Sequence, residues 1–250
     1  MLLPLSDDNT GRRTTPYVVY TFIAINIVVF IIQFVQGDSF TLGYAAVPYE
    51  IVNNTDLVNP RGRIPQMPGP SPIWLTLFTS LFMHGGFMHI AGNMLYLWVF
   101  GDNIEDNFGH LKFAVFYIIC GVLASFSQIM LDPQSVIPTL GASGAIAGVL
   151  GAYLIMFPKN RVHSLLPLGI IWTTVEVPAW IMLGLWIVLQ FFSQFASITS
   201  HTAQTGGGGV AYMAHIGGFI AGMILVFLFR TRQKSFSRVD ENNDSYYRPY

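Results

Sequence analysis

Charged residues are scarce in this chain of 250 residues. Only 10% of its residues are Asp, Glu, Lys or Arg, whereas 52% are hydrophobic, and soluble domains carry about 25% charged residues. This shortage excludes an ordinary soluble domain, and the sequence has no basic patch that would indicate nucleic-acid binding. The composition instead indicates an integral membrane protein with short connections between its spans.

Cysteine is nearly absent as well. Cys120, the one cysteine of the chain, lies within an apolar run and has no second cysteine to pair with. An intramolecular disulfide framework is therefore excluded, and cysteine usage does not indicate the compartment. The sequence also shows no internal repeat and no low-complexity tract, so a repeat architecture is not predicted.

Apolar runs predict six membrane spans. The first, 17–36, is longer than the roughly 7–15 residues of a signal-peptide core, so we interpret it as a span. The expected fold is all-α, a polytopic bundle of six transmembrane helices over 17–229. Residues 1–16 would form a cytoplasmic N-terminal segment and 230–250 a cytoplasmic tail. The predicted spans are about 17–36, 87–100, 112–131, 142–157, 179–196 and 210–229.

The uncharged run from Ile73 to Gly101 is too long for one untilted helix across a hydrocarbon core of about 30 Å. We therefore divide it at Gly85-Gly86, so that 73–86 forms a re-entrant first loop in or on the outer leaflet. The second span then runs from 87 to 100. Irregular backbone at that depth is tolerated only where protein or water satisfies its polar groups.

The remaining connections are distinguished by proline and charge. Several prolines forbid a regular helix through the second half of 37–71. Residues 101–111 carry three acidic side chains and are expected to form a charged turn. Residues 164–178 are apolar but interrupted by prolines, so we expect them to lie along the interface. Residues 197–209 are polar and glycine-rich, and are expected to form a mobile cap beside the fifth span.

Positive charges fall mainly on one side of the predicted spans. Ten Lys and Arg residues lie on the side shared by both termini, whereas only Arg61 and Arg63 lie on the other. An excess of Lys and Arg marks the cytoplasmic side. We therefore expect a multi-pass cell-membrane protein with both termini in the cytoplasm, while a thylakoid or other organelle membrane stays an alternative.

Four polar residues are predicted at similar depth inside the spans. His89 and Asn93 are four residues apart and share one helical face. His215 lies about one and a half turns into the last span, and Ser143 lies near the extracytoplasmic end of the fourth. Polar groups inside a membrane indicate function, although a serine between small residues is by itself more typical of helix packing.

Small residues offer a way to bring two of these groups together. Gly144 and Gly148 on the fourth span face a comparable stripe, Gly218 and Gly222, on the sixth. Such stripes let helix backbones approach closely, which would place the sixth span's histidine within reach of Ser143. The same spacing makes Gly144, Gly218 and Gly222 candidate packing residues.

Nucleophilic catalysis is the chemistry that these groups can perform. A serine hydroxyl needs a neighbouring base, for which His215 is suited. The side chains of His89 and Asn93, with the backbone N–H of Ser143, can supply oxyanion donors. Because no Asp or Glu lies at that depth, the expected arrangement is a dyad, in a cavity that water reaches from the extracytoplasmic side. Ala142, Gly144 and Ala147 would leave room only for a small substrate side chain.

Four motifs resemble those of the rhomboid family of intramembrane serine proteases. Gly141-Ala142-Ser143-Gly144 is similar to its Gly-x-Ser-Gly motif, and Ala214–Gly222 is similar to its histidine span. His84–Asn93 resembles its His-x-x-x-x-His-x-x-x-Asn segment, and Gly101–Gly109 its Gly-x-x-x-Glu-x-x-x-Gly turn. The resemblance covers about residues 73–229, with the motifs in the family's order.

The resemblance implies a catalytic dyad of Ser143 and His215 with His89 and Asn93 as oxyanion donors. It implies substrates that are single-span membrane proteins, cut in or near the transmembrane segment within the lipid bilayer. It implies no cofactor, no metal and no nucleic-acid partner. Two departures are evident: Trp74 is not followed by Arg, and Ala147 replaces an aromatic residue that some members place under the histidine.

Other interpretations stay open at this level. Three imidazoles, those of His84, His89 and His215, can bind zinc in principle, but no two histidines lie four residues apart on one helix. His84 belongs either to a loop-fixing network or to the exposed interface, and Glu105 is expected to be a structural hydrogen-bond anchor. A catalytically silent rhomboid-like protein that binds transmembrane helices, and a small transporter or channel, are the alternative functions.

Overall fold

The computed structural model describes residues 2–168, 171–199 and 210–231. Residues 200–209 of the expected cap and 232–250 of the expected tail lie outside the described residues. The expected cap is corrected at its beginning, because 197–199 continue a helix instead.

Helices make up most of the described chain. Two short 3₁₀ helices, Ile73–Leu75 and Ser80–Phe82, lie directly before and after the short α-helix Thr76–Thr79. The α-helices are α1 Tyr17–Gln36, α2 Asp38–Tyr44, α3 Pro48–Asn53, α4 Thr76–Thr79, α5 Phe87–Phe108, α6 His110–Leu131, α7 Ser143–Met156, α8 Ala179–Thr199 and α9 Tyr212–Phe229.

Four of these helices, α1, α6, α8 and α9, are long and apolar enough to cross a membrane. A fifth candidate is the pair formed by Ile73–Phe82 and α5, whose two parts are bent by 76° across a short break. The expected division at Gly85-Gly86 falls at this break. The apolar helix α7 is shorter, with 14 residues. The chain is thus a mostly helical membrane protein.

The expected charged turn at 101–111 is corrected by the structure. Helix α5 continues past Phe100 to Phe108, so most of that segment is helical. Its acidic side chains are tolerated because the N-terminal part of the chain supplies partners. Glu105, fully buried, accepts hydrogen bonds from the first free amides of α1, those of Val18 at 2.9 Å and Val19 at 2.8 Å. The turn itself is confined to Gly109, at φ +80°.

The all-α expectation is also incomplete, because a three-stranded antiparallel sheet accompanies the helices. Its order is β1 Leu3–Asp7, β2 Arg161–Leu168 and β3 Ile171–Pro178. The expected interfacial segment 164–178 therefore forms most of a hairpin. The second strand of this hairpin, β3, is rich in β-branched and aromatic residues, which favour extended backbone. The first strand comes from the N-terminal segment, a pairing across more than 150 residues that local pattern does not reveal.

The strand β1 is anchored by a buried carboxylate. Asp7 accepts hydrogen bonds from the hydroxyl of Tyr153 at 2.5 Å and from the Nδ2 of Asn103 at 2.7 Å. Burial raises the pKa of Asp7 above its usual value, and these two hydrogen bonds oppose that shift. The N-terminal segment 1–16 is therefore docked against the ends of α5 and α7.

Helix α7 lies at the centre of the packing, and every residue from Gly144 to Tyr153 is buried. Its partner across the small-residue stripe is α9. A Cβ on Gly218 would overlap the carbonyl oxygen of Gly144, and one on Gly222 would overlap that of Gly148. The two backbones are therefore in direct contact, which only glycine permits at these positions.

Candidate active site

Ser143 is the first residue of α7, directly after a sharp turn of the backbone. Gly141 makes this turn at φ +139°, and its N–H donates to the carbonyl oxygen of Ser80 at 2.9 Å. As the first helical residue, Ser143 has a backbone N–H with no partner inside the helix. The turn therefore presents both the hydroxyl and an amide donor at the same point.

The side chain of His215 reaches Ser143 from α9. The distance between His215 Nε2 and Ser143 Oγ is 2.8 Å, within hydrogen-bond range. This approach depends on the backbone contact between α7 and α9, since Gly218 and His215 are separated by less than one turn. The structure thus brings together the two residues that the sequence analysis paired.

Two residues of α8, neither of them selected from the sequence, hold the ring of His215. Its Nδ1 lies 2.8 Å from Oε1 of Gln190. The ring of Trp186 packs beside it in a tilted arrangement, with a centroid distance of 5.8 Å and an interplanar angle of 33°. The sequence offers one signal for both residues: Gln190 is a polar residue in the apolar fifth span, and it lies four positions after Trp186.

The imidazole of His89 borders the same cavity as Ser143 and His215. Its Nδ1 accepts a hydrogen bond from the N–H of Gly85 at 3.3 Å, so the proton of a neutral ring is carried by Nε2. A Cβ placed on Gly141 would lie 3.1 Å from that Nε2 and 3.3 Å from Ser143 Oγ. The Nε2–H group and the hydroxyl therefore border one small space.

Asn93 lies one turn further along α5 and is buried. Its Nδ2 has no hydrogen-bond partner among the described residues, which is costly for a buried donor. The side chain borders a cavity of about 290 Å³ that is also lined by His89, Ser143 and His215. Leu2 and Leu3 of the N-terminal segment border the same cavity. The side chain that carries this unpaired donor thus borders the same cavity as the serine.

The other selected residues have different surroundings. His84 is 2% exposed, so it does not face the interface, and its backbone N–H and carbonyl oxygen are both bonded to the side chain of Gln33. Ala142 and Ala147 have no exposed surface, and Gly144 packs against Ala124. Gly144 also borders a smaller cavity together with Ser143, and the expectation that these three border a substrate side chain stays a prediction.

The described residues contain no group of three His, Cys, Asp or Glu side chains placed to hold an ion. His84 and His89 do lie close together, with ring centroids 5.1 Å apart in an edge-to-face arrangement. His215 instead has a serine and a glutamine at its two nitrogens. The arrangement is therefore one of acid–base and nucleophilic groups.

Comparison with known proteins matches residues 72–232 to the Rhomboid domain family. RHOMBOID-like protein 5 of Arabidopsis thaliana is 32% identical over 158 residues, which are 62% of this chain and 44% of the relative. Rhomboid protease GluP of Bacillus subtilis is 30% identical over 207 residues, 83% of this chain and 34% of the relative. Rhomboid protein 1, mitochondrial, of Saccharomyces cerevisiae is 31% identical over 156 residues, which are 60% of this chain and 40% of the relative.

These matched portions make up less than half the length of each relative. The family match includes Ser143, His215, His89 and Asn93, and it begins after α1. The relatives come from a bacterium, a yeast and a plant, and one is named as mitochondrial. The comparison therefore concerns the part of the chain that holds the candidate site.

Proposed function

Because this chain belongs to the rhomboid family, we propose that it is an intramembrane serine endopeptidase that cleaves membrane-anchored proteins in or near their transmembrane segment. The observation that carries the proposal is the 2.8 Å distance between Ser143 Oγ and His215 Nε2 beside a cavity of about 290 Å³. A hydroxyl and an imidazole at that distance form the nucleophile and base of acyl transfer.

In the first step, the Ser143 hydroxyl gives its proton to Nε2 of His215 while Oγ attacks the carbonyl carbon of the scissile peptide. The carbonyl oxygen becomes an oxyanion, and the donors near it are His89 Nε2–H, the Nδ2 of Asn93 and the backbone N–H of Ser143. Donors that are already in place stabilise this charge without reorganisation.

In the second step, protonated His215 gives the proton to the leaving amine, and the C–N bond breaks to leave an acyl-enzyme on Ser143. Water then attacks the ester carbonyl as His215 accepts its proton, and the proton returns to Oγ when the acid product leaves. No cofactor or metal enters this scheme.

The membrane arrangement that we propose has six spans over 17–229. They are α1, α5, α6, α7, α8 and α9, with the bent residues 73–82 as a re-entrant loop. At 1.5 Å per residue, the 14 residues of α7 extend about 21 Å, less than a hydrocarbon core of about 30 Å. Its first residue therefore lies below the extracytoplasmic surface, with both termini in the cytoplasm.

The proposed substrates are single-span membrane proteins. A substrate helix satisfies its backbone hydrogen bonds internally and must unwind before a carbonyl group can reach Ser143. Substrates with helix-weakening residues near the cut are therefore expected to react faster. Helix α8 would act as the lateral gate, because Trp186 at its inner face borders the cavity.

The test is cleavage of a purified single-span reporter by the reconstituted protein. Ser143→Ala and His215→Ala are expected to abolish product, while the matched changes Ser193→Ala and His163→Ala, away from the cavity, keep it. Labelling by a serine-directed fluorophosphonate should be lost in Ser143→Ala. If the wild-type protein binds the reporter but neither cleaves it nor takes the label, the chain is a silent binder of transmembrane helices and the proposal fails.

A further inference from the structure

We propose that Gln190 is a positioning residue that holds His215 in the one tautomer able to deprotonate Ser143. This inference rests on the proposed function, because it assigns a role within the same site. It adds a third side chain to what the sequence indicated to be a dyad. The residue lies on α8, in the middle of the predicted fifth span.

The two ring nitrogens of His215 have different partners on opposite sides. Oε1 of Gln190 lies 2.8 Å from Nδ1, and Oγ of Ser143 lies 2.8 Å from Nε2. An amide oxygen only accepts hydrogen bonds, so Nδ1 of the neutral ring must carry the proton. Nε2 then has a free lone pair directed at the serine hydroxyl, as a general base requires.

The Gln190 amide makes a second, long hydrogen bond that favours this orientation. Its Nε2 donates to the carbonyl oxygen of Trp186 at 3.4 Å, one turn earlier on α8, which turns Oε1 toward His215. Gln190 is 8% exposed, so water competes poorly for its oxygen. With the amide reversed, Nδ1 would accept and Nε2 would carry the proton, and the ring could not remove a proton from Ser143.

Trp186 packs beside the same ring. Its indole is tilted against the imidazole of His215 and, with a centroid distance of 6.0 Å, against the ring of Phe219. These contacts supply an aromatic neighbour that Ala147 does not. Both supports come from α8, four residues apart on one face. The competence of His215 therefore depends on the position of α8 against α9.

A hydrogen bond between Gln190 and His215 that only joins two helices would contribute to stability alone. The two roles differ in what a substitution changes. Loss of a positioning residue lowers kcat while KM stays nearly constant, because Gln190 is not among the residues that line the cavity. Loss of a helix contact lowers the thermal midpoint and leaves the turnover of the folded protein intact.

The kinetic test compares Gln190→Leu and Gln190→Glu with Gln194→Leu, the same change one turn along α8. We expect Gln190→Leu to lower kcat about tenfold, the effect of losing one hydrogen bond, and to change KM by less than about twofold. Gln194→Leu should have the kinetics of the wild type. Gln190→Glu keeps an acceptor for Nδ1–H and should recover most of that loss. A carboxylate there favours the imidazolium, so the acidic limb of its pH–kcat profile should move to higher pH.

A Gln190→Leu protein with wild-type kcat would overturn the inference, as would equal loss in Gln190→Leu and Gln190→Glu. A second measurement does not depend on activity. In ¹⁵N spectra of histidine-labelled protein, the signals that are present in the wild type and absent in His215→Ala belong to His215, and they should show an unprotonated Nε2. In the Gln190→Leu protein, the signals that disappear when His215→Ala is added should show a mixture of tautomers. A protonated Nε2 in the wild type would sink the assignment, whereas inactivity of the wild type would sink only the proposed protease.

Discussion

At the residue scale, the space beside Ser143 is kept open by Gly141. This glycine has a left-handed φ of +139°, and a Cβ on it would lie 3.0 Å from Cε1 of His89 and 3.3 Å from Ser143 Oγ. The proposed oxyanion would occupy the same space. The glycine therefore matters for the shape of the site as well as for the turn.

Gly141→Ala is expected to lower kcat/KM about a hundredfold, comparable to the loss of one oxyanion donor. Its methyl group would push His89 and the hydroxyl apart. Turnover of a single-span reporter checks this, with Gly184→Ala as control, because a Cβ on Gly184 meets open space. Unchanged turnover in folded Gly141→Ala would contradict the proposed position of the oxyanion.

Asn93→Ala should separate activity from stability. The Nδ2 of Asn93 is buried without a partner among the described residues, so its removal costs the folded state little and relieves an unsatisfied donor. We expect kcat to fall about a hundredfold while the thermal midpoint stays constant or rises. Paired assays of turnover and thermal unfolding check this, with the exposed Asn53→Ala as control. A large drop in the midpoint would instead identify Asn93 as a packing residue.

At the element scale, the contact between α7 and α9 determines whether the proposed dyad forms. The carbonyl oxygens of Gly144 and Gly148 face Gly218 and Gly222 directly, with no side chain between the helices. One added methyl group must therefore move an entire helix, since no flexible side chain is there to adjust.

Gly222→Ala is expected to destabilise the fold by about 1–3 kcal/mol, because its Cβ would overlap the carbonyl oxygen of Gly148. Gly222 lies almost two turns from His215, so the loss would reflect helix packing. Unfolding in mixed micelles measures it, and Gly184→Ala on α8 serves as the matched control. Equal stability of the two variants would show that α7 and α9 separate without cost.

Two features that sequence patterns did not predict depend on distant partners. Helix α5 continues past Phe100 because Glu105 is bonded to the first amides of α1. Strand β1 forms because Asp7 finds Tyr153 and Asn103, and because β2 offers an edge. Local hydropathy contains no information on such pairings, so it predicts only a charged turn at 101–111 and a polar N-terminal segment at 1–16.

At the scale of the whole molecule, the proposed topology follows from the distribution of Lys and Arg. Arg61 and Lys159 are exposed in segments assigned to opposite sides of the membrane. The natural Cys120 is buried, which leaves a low background for thiol labelling.

In a Cys120→Ser background, Arg61→Cys should react with an impermeant maleimide added to the extracytoplasmic side, and Lys159→Cys should react only after the membrane is opened. Gel shifts of intact and permeabilised cells measure this. The reverse pattern would invert the topology and place the cavity on the cytoplasmic side.

The sequence by itself determined the class of the molecule and the identity of its candidate dyad. Lipid excludes unpaired polar groups, so Ser143, His89, Asn93 and His215 are conspicuous in apolar runs, and glycine stripes mark where helices meet. Only the tertiary structure decided how His215 is oriented, through Gln190 and Trp186, and where the N-terminal strand lies. Those features arise from contacts between segments far apart in the chain, whose partners no local pattern specifies.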